Sequence, residues 1–441
     1  MATKKPNLLV RAVWKLGRII GPAAHQVIYR PLAWLLNRCG YRLLNVSASR
    51  FTRIGHLALE PDCFLKEQAL LADQGVRPCR AVVFAPSNRV ANRHLAKYLR
   101  QHCVVVTSPW LCSLLRPLLT TRVVEDTSRF CEGINVTAEC YDIYARWGDR
   151  PALFTLSDED HRFGRQVLRE MGLPDDAWFV CVHCREDGYA PEALHNYRDG
   201  DIGDYTAAIE EIASRGGWCI RVGDPTMKPL PPLENVVDYA LSRFKSERMD
   251  VFLCARCRFF LGNSSGLFVL SSVFGVPCAV VNLAPLSMMA LGPRDLGIPK
   301  LVESITDRRL LTFAEILNSP IGDFRYTHLF DEAGVRAVDN SPQDIYELTV
   351  EMLDRLEGTA IYDADDHQRQ QAFHSLLRPG HYGYRSCSRV GRDFLHKYQY
   401  LLLTERTAGG ILHDESSQSA SMLPNQQFSK ASLQASATPN Q

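Results

Sequence analysis

The chain is predicted to be an α/β protein with two halves facing each other across a cleft, each half a parallel sheet covered by helices. Three observations predict this. Strand-like runs alternate with helix-like runs over residues 53–107 and again over 178–285. The stretch 120–175 between them shows helical pieces without that alternation and reads as a connector. The length, 441 residues with 46% hydrophobic and 22% charged, suffices for two cores of ordinary size.

The elements follow in order. No acidic residue precedes Glu60, while Lys4, Lys5, Arg11, Lys15, Arg18, Arg30, Arg38, Arg42, Arg50 and Arg53 are interleaved with Leu8, Leu9, Trp14, Leu16, Ile19 and Ile20. The uncharged stretch Ile19–Tyr29 is too short to span a bilayer, and the pattern is not that of a secretory signal. Residues 1–45 therefore read as a basic amphipathic leader. It either lies on an anionic membrane surface or packs on the body with a solvated basic face. Arg53–Gly75 reads as a Gly turn and an amphipathic helix, Arg80–Ser87 as a strand entering a polar loop, residues 91–102 as a helix and Cys103–Thr107 as a strand. In the second half a strand over 178–184, a helix over 203–217 and a strand over 218–224 precede a helix over 248–257. A strand–turn–helix over 258–274 and a strand over 278–285 follow. Ser341-Pro342 opens a last long helix. The expected boundaries are a leader 1–45, a first domain 46–150, a second domain 151–357 and C-terminal helices 358–405. Residues 406–441 are a Ser-, Gln-, Ala- and Asn-rich tail with little to bury, expected to be disordered.

Fourteen cysteines include two pairs at metal-like spacing, Cys181/Cys184 and Cys254/Cys257. The pairs lie too far apart for a zinc ribbon, and strand side chains three apart face opposite ways. Buried free thiols in a reducing compartment are expected. Asp199-Gly200-Asp201 has the form of a metal-binding Asp-x-Asp, but it precedes a helix, where Asp is a routine cap. No metal and no cofactor are expected. The formal charge of +1 gives no general nucleic-acid signal.

Chemistry gathers in "LGNSSGLFVLSSVF", Leu261–Phe274. Asn263, Ser264, Ser265 and Gly266 fall where a buried strand hands over to a helix, which leaves backbone N–H groups pointing outward and attracts phosphate. Ligands of parallel sheets bind at the carboxyl ends of the strands. Those ends carry His183 and Arg185, then Arg221, Gly223 and Asp224, and finally Asn282. Arg185 suits bidentate phosphate binding, and Lys245 is a further candidate charge. Arg221 and Asp224 end a strand where they can pair with each other, which leaves their role open.

"CRFFLGNSSGLFVLSSVFGVP" resembles the donor-phosphate loop of GT-B glycosyltransferases, close in shape to that of bacterial heptosyltransferases. "RIGHLALEPDCFLKE", "VHCREDGY", "HNYRDGDIGDY", "CIRVGD", "VVDYA", "GIPKL" and "VDNSPQDIYELTVEML" are similar, in order, to a bacterial glycosyltransferase family linked to surface polysaccharides. "VHCR" is also similar to the His-x-Arg turn of fucosyltransferases that bind GDP-sugars. The resemblance implies a GT-B-like fold, two Rossmann-like domains facing a cleft. It implies metal-independent transfer of a sugar from a nucleotide-sugar to a glycan or lipid-linked acceptor, in the cytoplasm or peripherally at the inner membrane. Arg185, Lys245 and Asn263–Gly266 would hold the donor diphosphate. The chain departs from heptosyltransferases at Ser264, where they carry Asp, and at Val269, where they carry His. It departs again at Ile54-Gly55-His56, where they carry Ile-Gly-Asp. That last position makes His56 the candidate general base, with Glu60 and Asp62 close behind it. An imidazole can accept a proton near neutral pH. Two alternatives stand beside this reading: a nucleotide-sugar epimerase on the same fold, and a non-catalytic nucleotide-binding subunit.

Overall fold

The computed structural model describes residues 25–44, 51–131, 137–186 and 193–402, which belong to one compact unit. The expectations for residues 1–24 of the leader and for the tail fall outside the described residues.

The fold is α/β with parallel sheets. Helix α1 (Arg30–Arg38) starts on Pro31 and stops at Cys39-Gly40, where Gly40 takes φ +77, a conformation that suits glycine. The chain then enters β1 (Tyr41–Leu44), which pairs in parallel with β2 (Arg80–Phe84) and β4 (Val124–Glu125). β3 (Val104–Val106) completes a sheet of order β3-β2-β1-β4. β1 therefore lies inside the stretch read as leader. Four residues that include Arg42 are too few to show a strand period.

Helix α2 (Ile54–Asp73) corrects an expectation. It was read as amphipathic, yet every residue from Leu57 to Phe64 is buried. The reason is its position, packed on its own sheet, on α3 (Arg93–Leu99), α5 (Ser128–Cys131) and α6 (Glu139–Trp147), and on the second half as well. Over 57–64 the helix is enclosed and shows no polar face, while its last residues, Ala72 and Asp73, are exposed. The charges it buries are paired: Lys66 Nζ lies 2.8 Å from Asp62 Oδ2 and 3.7 Å above the Tyr144 ring.

The second sheet has seven parallel strands in the order β14-β10-β9-β8-β5-β6-β7. They are β5 (Phe179–His183), β6 (Trp218–Arg221), β7 (Val236–Val237), β8 (Phe260–Asn263), β9 (Cys278–Leu283), β10 (Leu296–Pro299) and β14 (Arg389–Val390). β5, β8 and β9 are buried at every residue, as continuous apolar runs in a parallel sheet should be. Three short antiparallel strands, β11 (Leu301–Ser304), β12 (Arg309–Leu310) and β13 (Val335–Val338), form a separate sheet. The C-terminal region, read as helices, also supplies β14, an edge strand of the large sheet. The long helix opened by Ser341 runs over Pro342–Glu357 with a full capping box. One hydrophobic cluster runs from Leu57 and Val83 of the first half to Val180, Phe260 and Val280 of the second. No helix among the described residues is long and apolar enough to cross a membrane.

Candidate functional site

The turn after β8 is built as its sequence suggests. Ser265 takes the N-cap position of the next α-helix (Gly266–Val273), but its hydroxyl makes no capping bond, and Ser265 Oγ is buried without a hydrogen-bond partner. The helix has no acidic residue in its first turn. Its first N–H groups are thus left to an external acceptor. Asn263 holds the turn in place: its Oδ1 accepts from Arg185 N at 3.0 Å and its Nδ2 donates to Arg198 O at 3.1 Å. Ser264 Oγ donates to Ala284 O at 3.2 Å, and Arg198 Nη2 donates to Ser264 O.

Gly266 is required by a close approach. A Cβ there would fall 2.7 Å from Ile54 Cγ2 and 2.9 Å from Gly55 N, and one on Gly55 would fall 3.0 Å from Gly266 Cα. The start of α2 and the start of the Gly266 helix are therefore in direct contact. α2 likewise has no side-chain cap on Arg53 and no acid in its first turn. Two partial positive charges of helix termini meet at one point.

Cationic side chains add to this. Arg185 is mostly buried, with Nε 2.9 Å from Asp199 Oδ1. Burial lowers the Arg198 pKa, and the charges of Arg185 and Arg53 lower it further. Its Nε is buried without a partner. Burial also lowers the His195 pKa, with Arg198, Arg185 and Arg53 adding to the effect. Asp199 offsets part of this charge, and the remainder, set around two helix N-termini, favours an anion.

His56 stands one residue beyond the Gly55–Gly266 contact. Its Nδ1 lies 2.9 Å from Oε1 of the fully buried Glu60, one helical turn on. Thr127 Oγ1 donates to Glu60 Oε2, and Cys131 Sγ lies 3.3 Å from Glu60 Oε1 and 3.4 Å from His56 Nδ1. A carboxylate that accepts from Nδ1–H places the basic lone pair on Nε2, the arrangement of an oriented general base. Among the described residues, His56, Glu60 and Cys131 are also a His, Cys and carboxylate group whose ligand atoms lie within 4.8 Å of one another.

The structure thus brings Arg185, Asn263, Ser264, Ser265 and Gly266 together, with His56 beside them. Lys245 Nζ is taken up by Asp250, at 2.6 and 2.8 Å. Asp62 is held by Lys66 and Tyr144, and burial raises its pKa. Asp199 binds Arg185, and Asp201 Oδ1 accepts from Gly203 N at 2.8 Å. Arg221 does not pair with Asp224. It is fully buried between Glu186 and Asp238, at 3.1 and 3.2 Å. Cys181 lies against Cys254 and Cys257, whereas Cys184 lies by Tyr205. None of the fourteen cysteines, all among the described residues, forms a disulfide. The sequence offered Arg198 without a partner; it did not show Arg53 and His195 as its neighbours, or the partnership of Glu60 with Cys131 and Thr127. A cavity of about 370 Å³ lies elsewhere, at the far end of the Gly266 helix between Lys66, Tyr144, Ser272 and Asp295.

No family model matches the chain, and no curated protein does. Among solved structures it is similar to a glycosyl transferase family 9 protein from Veillonella parvula, at 12% identity and a TM-score of 0.23 over 49% of this chain and 60% of that one. It is similar to the E. coli ADP-heptose lps heptosyltransferase II at 12% identity, TM-score 0.31, over 59% and 90%. It is also similar to the Methanocaldococcus jannaschii UDP-GlcNAc 2-epimerase at 11% identity, TM-score 0.20, over 54% and 69%. These slight likenesses concern the fold alone, and the match to the Veillonella protein spans less than two thirds of that protein's length.

Proposed function

We propose that the protein is a glycosyltransferase that moves a sugar from a nucleotide-sugar to a glycan or lipid-linked acceptor, in the cytoplasm at the inner membrane surface, without a metal. In this reading, residues 46–150 form the acceptor-side domain and 151–357 the donor-side domain. The observation that carries the reading is the contact of two uncapped helix starts at Gly55 and Gly266, with Arg185 and Arg198 on one side and the His56–Glu60 pair on the other. The departing diphosphate receives the N–H groups of the Gly266 helix and the guanidinium of Arg185. His56 Nε2 takes the proton of the acceptor hydroxyl as that oxygen bonds the anomeric carbon and the carbon–phosphate-oxygen bond breaks. Lys245, tied to Asp250, serves as a more distant positive charge. The sequence similarity to a surface-polysaccharide family supports the acceptor class.

The test is a thermal-shift panel of nucleosides, nucleoside diphosphates and nucleotide-sugars, since a ligand that binds only the fold raises its melting temperature by mass action. One base should stand out, as diphosphate and as sugar conjugate but not as nucleoside. The stabilising donor is then incubated with and without glycan acceptors, and products are read by mass spectrometry. No stabilisation by any diphosphate would refute the site. An altered sugar formed without acceptor would assign an epimerase.

A further inference from the structure

The first sheet carries an outer face unrelated to the anion site. Helix α1 and helix α4 (Pro109–Leu115) both pack on it, α1 through Leu32, Ala33 and Leu36, α4 through Cys112 and Leu115. Tyr29 Oη bonds Leu114 O at 2.8 Å and ties the two helices together. Their outward sides, with the turn His25–Tyr29 that precedes α1, carry large apolar residues among polar ones. Trp34 is 63% and Trp110 69% exposed, and Val27, Ile28, Leu35, Leu111 and Leu114 are exposed beside them. Single exposed apolar side chains are ordinary, but a contiguous set on two adjoining helices marks an interaction surface.

The two stretches of chain that supply these helices carry charge of one sign. The sequence has no Asp or Glu before Glu60 and none between Asp73 and Glu125, the two stretches that supply α1 and α4. Arg30, Arg38, Arg116 and Arg122 are exposed there, and Arg38 lies 5.5 Å from the Trp34 ring centre. Tryptophans that bury an apolar body while their N–H stays wet, rimmed by unopposed guanidinium groups, match the interface of a bilayer with anionic headgroups.

We propose that this α1–α4 face docks the protein on an anionic lipid bilayer, with Trp34 and Trp110 inserting at headgroup depth.

The test uses the full chain and sedimentation with phosphatidylcholine vesicles, with and without 30 mol% phosphatidylglycerol. Wild type should bind the anionic vesicles and lose binding between about 0.1 and 0.5 M salt, as the Debye length shortens from about 10 Å. The double variant Trp110→Glu/Leu114→Glu should bind at least tenfold more weakly. The conservative variants Trp34→Phe and Trp110→Phe should each reduce fluorescence quenching by brominated lipid. Full binding by the double variant would overturn the proposal, because the leader alone would then suffice. So would quenching unchanged in both Phe variants, absence of wild-type binding, or a wild-type dimer in sedimentation velocity that the double variant dissociates.

Discussion

His56 and Glu60 stand one helical turn apart, and in the proposed reaction each has a different task. Glu60 is sealed from solvent and fixes the ring, while His56 is only partly buried. His56→Ala should lower transfer by a factor of roughly 100 to 10,000 with donor affinity retained, the signature of lost proton transfer. Glu60→Gln should lower it less, since the imidazole remains. Single-turnover rates set beside donor binding check both. For Arg185→Ala, diphosphate binding should weaken by roughly 1.5–3 kcal/mol, the range for a hydrogen bond to a charged group, with nucleoside binding unaffected. Calorimetry with the two ligands decides it, and equal losses would remove Arg185 from the phosphate site. His56 came into view as a candidate base because the Ile54-Gly55-His56 turn resembles an acidic one. Cys131 and Thr127 were not, because some seventy residues of chain separate them from Glu60 and only tertiary packing joins them. The Asp250 partner of Lys245 lay five residues on and could have been seen.

At the scale of elements, contact between helix starts sets tolerances. Gly266→Ala forces a methyl against Ile54 Cγ2 and Gly55 N, and overpacking of this kind costs roughly 1–3 kcal/mol. A lower urea midpoint, with weakened donor binding, is the expected outcome. β5 makes a different demand. His183 closes that strand with Nδ1 on Val222 O at 3.0 Å, and burial lowers its pKa to about 4. The ordinary histidine value is about 6.5. The folded ring thus stays neutral where the unfolded one is already protonated. Its contribution is complete above pH 6.5 and declines as pH falls toward 4, by about 3 kcal/mol in all. Asp295, raised to about 6 by burial, has the opposite sign over part of that window. The direct check is therefore an imidazole nitrogen titration of His183, which should show no protonation down to pH 5. The long apolar strands were legible because burial on both faces leaves continuous hydrophobic runs. β1 and β14 were not, since strands of four and two residues with arginine in them carry no such run.

For the molecule as a whole, the position of β1 matters most. It lies between β2 and β4, so a deletion of residues 1–45 removes an interior strand and not merely a basic leader. Such a truncation should lose cooperative unfolding, which circular dichroism during a thermal scan would show. A truncated protein with the wild-type transition would mean that the first sheet closes without β1. The alternation of strands and helices made the α/β class legible from end to end. The seam between the halves was not, because nothing in one dimension shows that Gly55 and Gly266 are neighbours. That seam governs recombination. A chimera that takes residues before the connector from one parent and residues after it from another inherits one glycine from each. If either parent has a larger residue at its position, the two helix starts cannot close, however well each half folds alone. Crossovers between such chains are viable only where both small residues travel as a matched pair.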